Sequence, residues 1–170
     1  MNISHKKIEH FFENVLLKLN IKKHDRKLLI QSLVDSSLRG VDSHGIRLFS
    51  HYVHCLEKGR IKNNPRMKII KRKRGIAIYD ADDGLGHVAA LKASKIVTSM
   101  ANQNGIAAIG IINSSHYGAA GVYSLEIAQK NCIGLSFTHS DPFAIPFNGK
   151  SPFHGTNPYS FTAPFKKNDY

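Results

Sequence analysis

Apolar side chains recur every three or four positions along the first part of the chain, the spacing of amphipathic helices. Six of them follow this spacing and predict a first helix over 8–20. A second helix is predicted over 25–40, with Asp25 as its N-terminal cap, and a third over 43–58. The segment 1–64 is therefore predicted to be an N-terminal helical domain.

The pattern changes after the linker KNNPR to the alternation of strands and helices that is typical of an α/β layer. We predict a hairpin (MKIIKRKRGIAIYD), a helix (HVAALKASKIVTSMANQ), a strand (GIAAIGII), a helix (AAGVYSLEIAQKN) and a strand (CIGLSFTHS). The apolar runs at 106–112 and 132–137 predict a sheet covered on both faces. The fold class is thus α/β, with an α/β domain over 65–170 that ends, without a closing helix, just after a predicted strand and is expected to be incomplete.

Size and composition fit a globular protein. With 170 residues, of which 42% are hydrophobic, the chain is long enough to bury a core. No apolar run approaches the ~20 residues of a membrane span, and the N-terminus lacks the apolar core of a signal peptide, so we expect a cytoplasmic protein without membrane partners. Cys55 and Cys132 lie far apart in sequence and are expected to be small apolar residues, with no disulfide and no metal site.

The chain is strongly basic, with a formal net charge of +12. That charge raises the possibility of nucleic-acid binding. The dense basic block KIIKRKRG, at 68–75, has no interleaved aromatic residues and belongs to no recognisable nucleic-acid-binding motif. A basic surface hairpin is the favoured interpretation, and we expect no nucleic-acid partner.

The segment GLGHVA, at 84–89, has the spacing of a dinucleotide fingerprint between a strand and a helix. Asp80, Asp82 and Asp83 precede it, and their charges would repel a diphosphate. The acidic residue expected about 20 positions later is also missing. We therefore predict a plain turn and helix start here.

Two segments place a histidine where chemistry is possible. On a helix over 43–58, His44, Arg47 and Tyr52 would share one face opposite an apolar stripe, with Ser43 capping the helix. An ordinary solvent-facing polar side explains this pattern equally well. In NSSHYGAAGVYS, His116 follows a strand at the carboxyl edge of the sheet, where α/β sheets bind ligands, although a histidine that merely caps the next helix is the alternative.

The loop THSDPFAIPFNGKSPFHGTNPYSFTAP, at 138–164, contains five prolines and several small polar residues. Long ordered loops at strand ends often carry function. A connector held in place by its prolines is the other interpretation.

Taken together, DSHGIR, HYVHCLEKGRI, DADDGLGHVAA, QNGIAAIGIINSSHYGAAGVYS, GLSFTHSDP, IPFNG and GTNPYSFTAP resemble the malate/L-lactate dehydrogenase family, which includes ureidoglycolate dehydrogenases. The motifs occur in the family's order along essentially the whole chain. The resemblance implies a fold without the usual Rossmann fingerprint, NAD or NADP as cofactor, and a homodimer. It also implies hydride transfer between nicotinamide and C2 of a small 2-hydroxy or 2-oxo acid such as ureidoglycolate, malate or lactate.

The resemblance also implies roles for individual residues. His116 resembles the proton-transfer group of ureidoglycolate-type members and is slightly favoured, whereas His44, supported by Ser43, resembles that group in other members. Family members run well past residue 170, so we expect an N-terminal portion of such an enzyme, and an inactive remnant that keeps the fold is the alternative. The remaining implied contacts are with the substrate, at Arg47, Tyr52 and Thr156, and with the cofactor, at Ser140, Tyr117, Gly118 and Ala120.

Overall fold

Three helices form the first part of the chain in the computed structural model, which describes residues 3–165. Helix α1 spans His5–Lys18, α2 spans Lys23–Leu38 and α3 spans Phe49–Glu57. The first two helices are confirmed, but the predicted cap is wrong. Asp25 lies inside the first turn of α2, where it is buried and pairs with Lys92 Nζ at 2.7 Å.

The predicted helix over 43–58 is wrong in its first part. The chain instead forms two short 3₁₀ turns, Asp42–His44 and Ile46–Leu48, before α3 begins. The break falls at Gly45, whose backbone is not helical. A Cβ at this position would overlap Ser37 Oγ, and that same oxygen accepts a hydrogen bond from the backbone N–H of Ile46 at 3.0 Å. The single helical face predicted for this segment therefore does not exist.

The next part of the chain forms a three-stranded sheet and a long helix. Strand β1 is Lys68–Lys73, β2 is Ile76–Gly84, α4 is Gly86–Asn104 and β3 is Ala108–Ser114. The order is β1-β2-β3, with β1 antiparallel and β3 parallel to β2. The predicted hairpin and helix are confirmed, and β1 is exposed along its whole length, as expected of a basic surface hairpin.

The last described elements are helix α5, Gly121–Ala128, and strands β4, Gly134–Phe137, and β5, Tyr159–Thr162. Strands β4 and β5 pair antiparallel as a separate two-stranded sheet. The loop between them carries one further bridge, between Ala144 and His154. Helix α5 packs against α4 and both of these strands.

The main core lies between the helices. It combines apolar residues of α1, α2 and α3 with Leu85, Val88 and Leu91 of the α4 region and with Tyr123 of α5. The helical segment thus shares its core with the α/β segment, and the division at residue 64 stays a prediction. Both cysteines are free; Cys55 is buried, but Cys132 is only partly buried.

The prediction of a sheet covered on both faces is wrong for the described residues. Helix α4 packs against β2 and β3, and no other element within 3–165 covers the opposite side. Ile106, Leu135 and Phe137 are 81%, 58% and 76% exposed. Within the same residues, no helix is long and apolar enough to cross a membrane, and no group of three or more acidic, histidine or cysteine side chains is arranged to hold a metal ion.

Candidate active site

The two predicted histidines meet in one site. The imidazole rings of His44 and His116 lie with their centroids 5.7 Å apart. His44 ends the first 3₁₀ turn, and His116 follows β3 by two residues, at the carboxyl end of the parallel strand pair. Two segments that are distant in the chain therefore supply neighbouring imidazoles at the sheet edge where α/β proteins bind ligands.

Tyr52 holds His116 from the protein interior. Its hydroxyl lies 2.6 Å from His116 Nδ1, and the two rings are stacked. The predicted position of Tyr52 on one helix face with His44 and Arg47, opposite the apolar stripe, is wrong, because α3 begins only at Phe49 and buries Tyr52 together with Cys55. Tyr52 is fully buried, at 0% exposure. Its position suits it to fix the orientation of His116 and offers no surface for direct contact with a substrate.

A third histidine, which the sequence analysis did not single out, lies behind Tyr52. His87 is fully buried, with Nε2 2.9 Å from the Tyr52 hydroxyl and Nδ1 2.7 Å from Ser32 Oγ. The Tyr123 hydroxyl lies 3.3 Å from the same Nδ1. We call Ser32, His87, Tyr52, His116 and Tyr123 the histidine network. In the sequence, the only local indication of this network was a histidine, His87, among apolar residues in the first turn of α4.

Two glycines allow this close packing. Gly118 has φ +77°, and a Cβ there would overlap the His87 ring. A Cβ at Gly86 would overlap the backbone oxygens of Ser115 and His116, and the Gly86 N–H donates to Ser115 Oγ at 2.9 Å. Gly86 and Gly118 thus serve internal contacts. The predicted helix start is confirmed, since α4 begins at Gly86, whereas the absence of a dinucleotide contact there stays a prediction.

Burial and neighbouring charges keep the network imidazoles neutral. Desolvation lowers the pKa of His116 below its ordinary value, and the neighbouring His44 and His51 lower it further, while Asp141 opposes the shift. Desolvation, with smaller contributions from His116 and His44, lowers the pKa of His87 to about 3. At neutral pH His116 is therefore a neutral imidazole, the form that accepts a proton.

The structure places Ser43 beside His44 and Arg47 farther away. Ser43 Oγ lies 2.9 Å from His44 Nδ1, and the predicted helix cap is not formed. Arg47 is exposed and lines a cavity of about 540 Å³ together with Phe11 and Asp42. It makes no hydrogen bond to either histidine among residues 3–165, so the site as described brings Ser43, but not Arg47, to the histidine pair.

Ser140 and Thr156 come together at the two ends of the β4–β5 loop. Ser140 Oγ accepts the Thr156 backbone N–H at 2.8 Å and lies 3.1 Å from Thr156 Oγ1. The Asn157 side-chain oxygen accepts the Ser140 N–H at 3.1 Å. The charge of Asp141, next to Ser140, raises the pKa of His116 and so opposes the effect of burial.

Three of the residues predicted to contact the cofactor are packed inside the protein. Gly118 and Ala120 are buried, and the Tyr117 ring stacks on Tyr123 with centroids 4.8 Å apart. Burial raises the pKa of Tyr117, and Ser136 opposes the shift without reaching hydrogen-bonding geometry. The Tyr117 hydroxyl is buried and has no hydrogen-bond partner within residues 3–165. The cofactor contacts of Tyr117, Gly118 and Ala120 stay predictions.

The described residues fit the nicotinamide end of a dinucleotide and not its diphosphate. The unsatisfied Tyr117 hydroxyl and the hydroxyls of Ser140 and Thr156 are neutral groups of the kind that bind an amide or a ribose. The start of α4 offers no diphosphate cradle, because Gly86 is packed against the His116 loop. Asp82 adds a negative charge nearby, since hydrogen bonds from the Arg66 backbone and Lys62 lower its pKa.

Comparison with known families identifies the class of protein. Residues 3–170 match the family model of malate/L-lactate dehydrogenase. The chain belongs to the malate/L-lactate dehydrogenase family, and the resemblance found in the sequence is confirmed.

Curated relatives carry several substrate names. The chain is 38% identical over 139 residues to malate dehydrogenase of Pyrococcus abyssi, a match that covers 82% of this chain and 38% of that protein. It is 32% identical over 149 residues to NAD(+) ureidoglycolate dehydrogenase of Escherichia coli O157:H7, covering 88% of this chain and 43% of that protein. The chain thus spans less than half the length of these relatives.

Solved structures confirm the mixed α/β fold. Malate dehydrogenase from Pyrococcus horikoshii OT3 matches with a TM-score of 0.94 and 34% identity, over 98% of this chain and 48% of that one. Sulfolactate dehydrogenase from Methanocaldococcus jannaschii matches with a TM-score of 0.93 and 32% identity, over 96% and 47%. The chain has the fold of about half of each of these dehydrogenases.

Proposed function

We propose that this chain forms the proton-transfer side of an NAD- or NADP-dependent dehydrogenase that interconverts a small 2-hydroxy acid and its 2-oxo form. The observation that carries the proposal is the placement of His116, whose Nδ1 contacts the Tyr52 hydroxyl and whose ring lies beside His44 at the carboxyl edge of the strand pair. Family membership supports the reaction class. The names of the relatives support malate, sulfolactate or ureidoglycolate as substrate candidates.

His116 acts as the proton acceptor when the hydroxy acid is oxidised. Bound nicotinamide supplies the hydride acceptor at its C4 atom. As the hydride leaves C2 of the substrate, the hydroxyl proton moves to His116, and in the reverse direction the imidazolium returns it to the developing alkoxide. A neutral imidazole suits this task because it gains a proton without having to lose one first.

His44 and Ser43 flank this position. The Ser43 hydroxyl bonds His44 Nδ1 and thereby orients the second ring toward the same site. We assign His44 to bind the substrate oxygen by hydrogen bonding, Thr156 to the substrate side, and Ser140 to the cofactor. Arg47 is retained as the substrate carboxylate clamp, a role that requires its exposed side chain to swing toward the histidine pair.

The cofactor contacts assigned to Tyr117, Gly118 and Ala120 follow from the same site. The orphaned Tyr117 hydroxyl supports a polar contact there. The backbone around Gly118 and Ala120 would set the distance of the nicotinamide from His116. A homodimer is the assembly that we propose on the strength of the family resemblance, and light scattering coupled to gel filtration tests it.

The proposed function is tested by titrating the protein, expressed from its complete gene, with NADH and NADPH while nicotinamide fluorescence is followed. Oxidation of either cofactor is then assayed with the oxo forms of malate, lactate, sulfolactate and ureidoglycolate. We expect binding of one cofactor and turnover with at least one acid. A protein that binds neither cofactor and reduces none of these acids overturns the proposal.

The two histidines are separated by substitution in the same assay. His116→Ala is expected to lower kcat by ~10²-fold or more, because it removes the proton acceptor. His44→Ala is expected mainly to raise KM. The opposite pattern would move the proton-transfer role to His44.

A further inference from the structure

At each link of the histidine network, one group donates the hydrogen bond and the other accepts it. The direction of these bonds at the buried His87 determines which ring nitrogen of His116 carries the proton. The links run from Ser32 Oγ to His87 Nδ1, from His87 Nε2 to the Tyr52 hydroxyl, and from that hydroxyl to His116 Nδ1. A phenol donates one proton, and a neutral imidazole donates from one nitrogen and accepts at the other. All the links must therefore run in the same direction.

Tyr123 sets this direction. Its hydroxyl proton is donated to the Tyr117 carbonyl oxygen, so toward His87 the Tyr123 oxygen can only accept. His87 Nδ1 faces that oxygen at 3.3 Å and Ser32 Oγ at 2.7 Å. The Ser32 hydroxyl could donate to a bare Nδ1, but the Tyr123 oxygen would then face that nitrogen lone pair to lone pair beside a fully buried ring. An Nδ1–H instead donates toward both oxygens. His87 thus carries its proton on Nδ1 and accepts at Nε2.

The remaining links follow from this assignment. The Tyr52 hydroxyl donates to His87 Nε2, and its oxygen then accepts a hydrogen bond from His116 Nδ1–H at 2.6 Å. His116 Nε2 is left without a proton. Because Tyr52 is fully buried and His116 is exposed, the open side of the His116 ring is the side that carries Nε2.

We propose that Tyr52 and His87 are positioning residues that lock neutral His116 in the Nδ1–H tautomer and present a bare Nε2 to the substrate hydroxyl. The proposal rests on the proposed function for its consequence in catalysis but not for the tautomer itself. During oxidation the substrate hydroxyl proton would form a bond to Nε2, while the Nδ1–H bond to Tyr52 remains intact. The resulting imidazolium keeps its internal acceptor, which stabilises the charge.

His87 is suited to be the fixed end of this network. Its full burial lowers its pKa, so it stays neutral while His116 gains and loses a proton. The His87 ring packs so closely on Gly118 that a Cβ there would overlap it. A rigid acceptor at Nε2 therefore orients Tyr52, and Tyr52 in turn orients His116.

The tautomer is read directly from two-dimensional ¹H–¹⁵N correlation spectra of ¹⁵N-histidine-labelled protein at neutral pH. Loss of one set of signals in His116→Asn assigns the His116 ring. We expect His116 to be in the Nδ1–H form in the unsubstituted protein. Finding it mainly in the Nε2–H form would overturn the proposal.

Tyr52→Phe provides the second measurement because it removes the acceptor that holds the Nδ1 proton. We expect His116 then to populate both tautomers. Tyr79→Phe is the matched control, since Tyr79 is also a buried tyrosine, 5% exposed, but lies in the separate cluster between α4 and the sheet. An unchanged His116 tautomer in Tyr52→Phe would contradict the positioning role.

In active protein, Tyr52→Phe is expected to lower kcat at least ~10-fold with little change in KM, because the base is present but misprotonated. A change confined to KM would contradict the role. The two readouts separate the proposals. If His116 is in the Nδ1–H form but the protein never turns over, the tautomer proposal stands and the proposed function fails. If the protein turns over with His116 in the Nε2–H form, the proposed function stands and the tautomer proposal fails.

Discussion

The histidine network finds its hydrogen-bond partners within residues 3–165, whereas the apolar face of the strands is left exposed to solvent by these residues. In the network, buried hydroxyls and ring nitrogens meet one another from α2, α3, α4 and α5 at hydrogen-bonding distance. On β3 and β4 and in the segment before β3, large apolar side chains face solvent, as Ile106, Leu135 and Phe137 do. The contacts that orient the candidate base are thus complete within the described residues, whereas those that would cover the sheet are not.

This difference indicates which parts of the chain contribute most to the free energy of unfolding. The helices bury a continuous apolar core, and the polar network is enclosed against it. The strands contribute backbone pairing but little apolar burial on their outer side. Substitutions of the same chemical kind should therefore have large effects near the network and small effects on the strands.

The largest contrast is expected between two leucines. Leu29→Ala removes a side chain that is 0% exposed in α2 and should lower the free energy of unfolding by about 2–5 kcal/mol. Leu135→Ala, at a position 58% exposed in β4, should change it by no more than about 0.5 kcal/mol. Urea denaturation of both variants measures the difference, and equal effects would show that the β4 face is covered in solution.

A glycine pair tests how tightly the network is packed. Gly118→Ala places a methyl group into the His87 ring at a positive φ, which should cost about 2–4 kcal/mol of stability. Gly105→Ala is the control, because Gly105 has φ +80° but open space around the added Cβ, and backbone strain alone should cost about 1 kcal/mol. If both substitutions cost the same, the contact with His87 contributes nothing measurable.

The pH dependence of stability should carry the signature of His87. Its folded pKa is lowered to about 3 from an ordinary 6.5, so below pH 6.5 the unfolded chain binds a proton that the folded chain refuses. Stability contributed by the neutral ring is present above pH 6.5 and is lost as pH falls, at about 1.4 kcal/mol per pH unit. His87→Gln, compared with the exposed control His54→Gln, should flatten the unfolding free energy between pH 6.5 and 5; identical slopes would mean that His87 is not held neutral.

Much of the architecture could be predicted from periodicity. The stripe at 8–20 and the alternation after KNNPR gave the helices and strands, because each pattern reflects local geometry and burial on one side. The placement of His116 at the carboxyl end of a strand followed from the order of elements. These features depend on residues that are near one another in sequence.

Long-range contacts could not be predicted in this way. The break at Gly45 depends on Ser37 in the preceding helix, and the burial of Tyr52 follows from that break. His87 joins the site only because α4 packs beside α2 and α3. The apolar runs of β3 and β4 suggested full burial, but an apolar sequence does not state whether a second layer covers it.

The most direct measurement is the pKa of His116, followed through the chemical shift of its ring Cε1–H as pH is varied. Partial desolvation, together with the neighbouring charges of His44 and His51, predicts a pKa below the ordinary 6.5 despite the opposing charge of Asp141. A neutral base at neutral pH then follows. A pKa at or above the ordinary 6.5 would contradict the predicted shift, and a pKa above neutral pH would leave His116 mostly protonated where it must accept a proton.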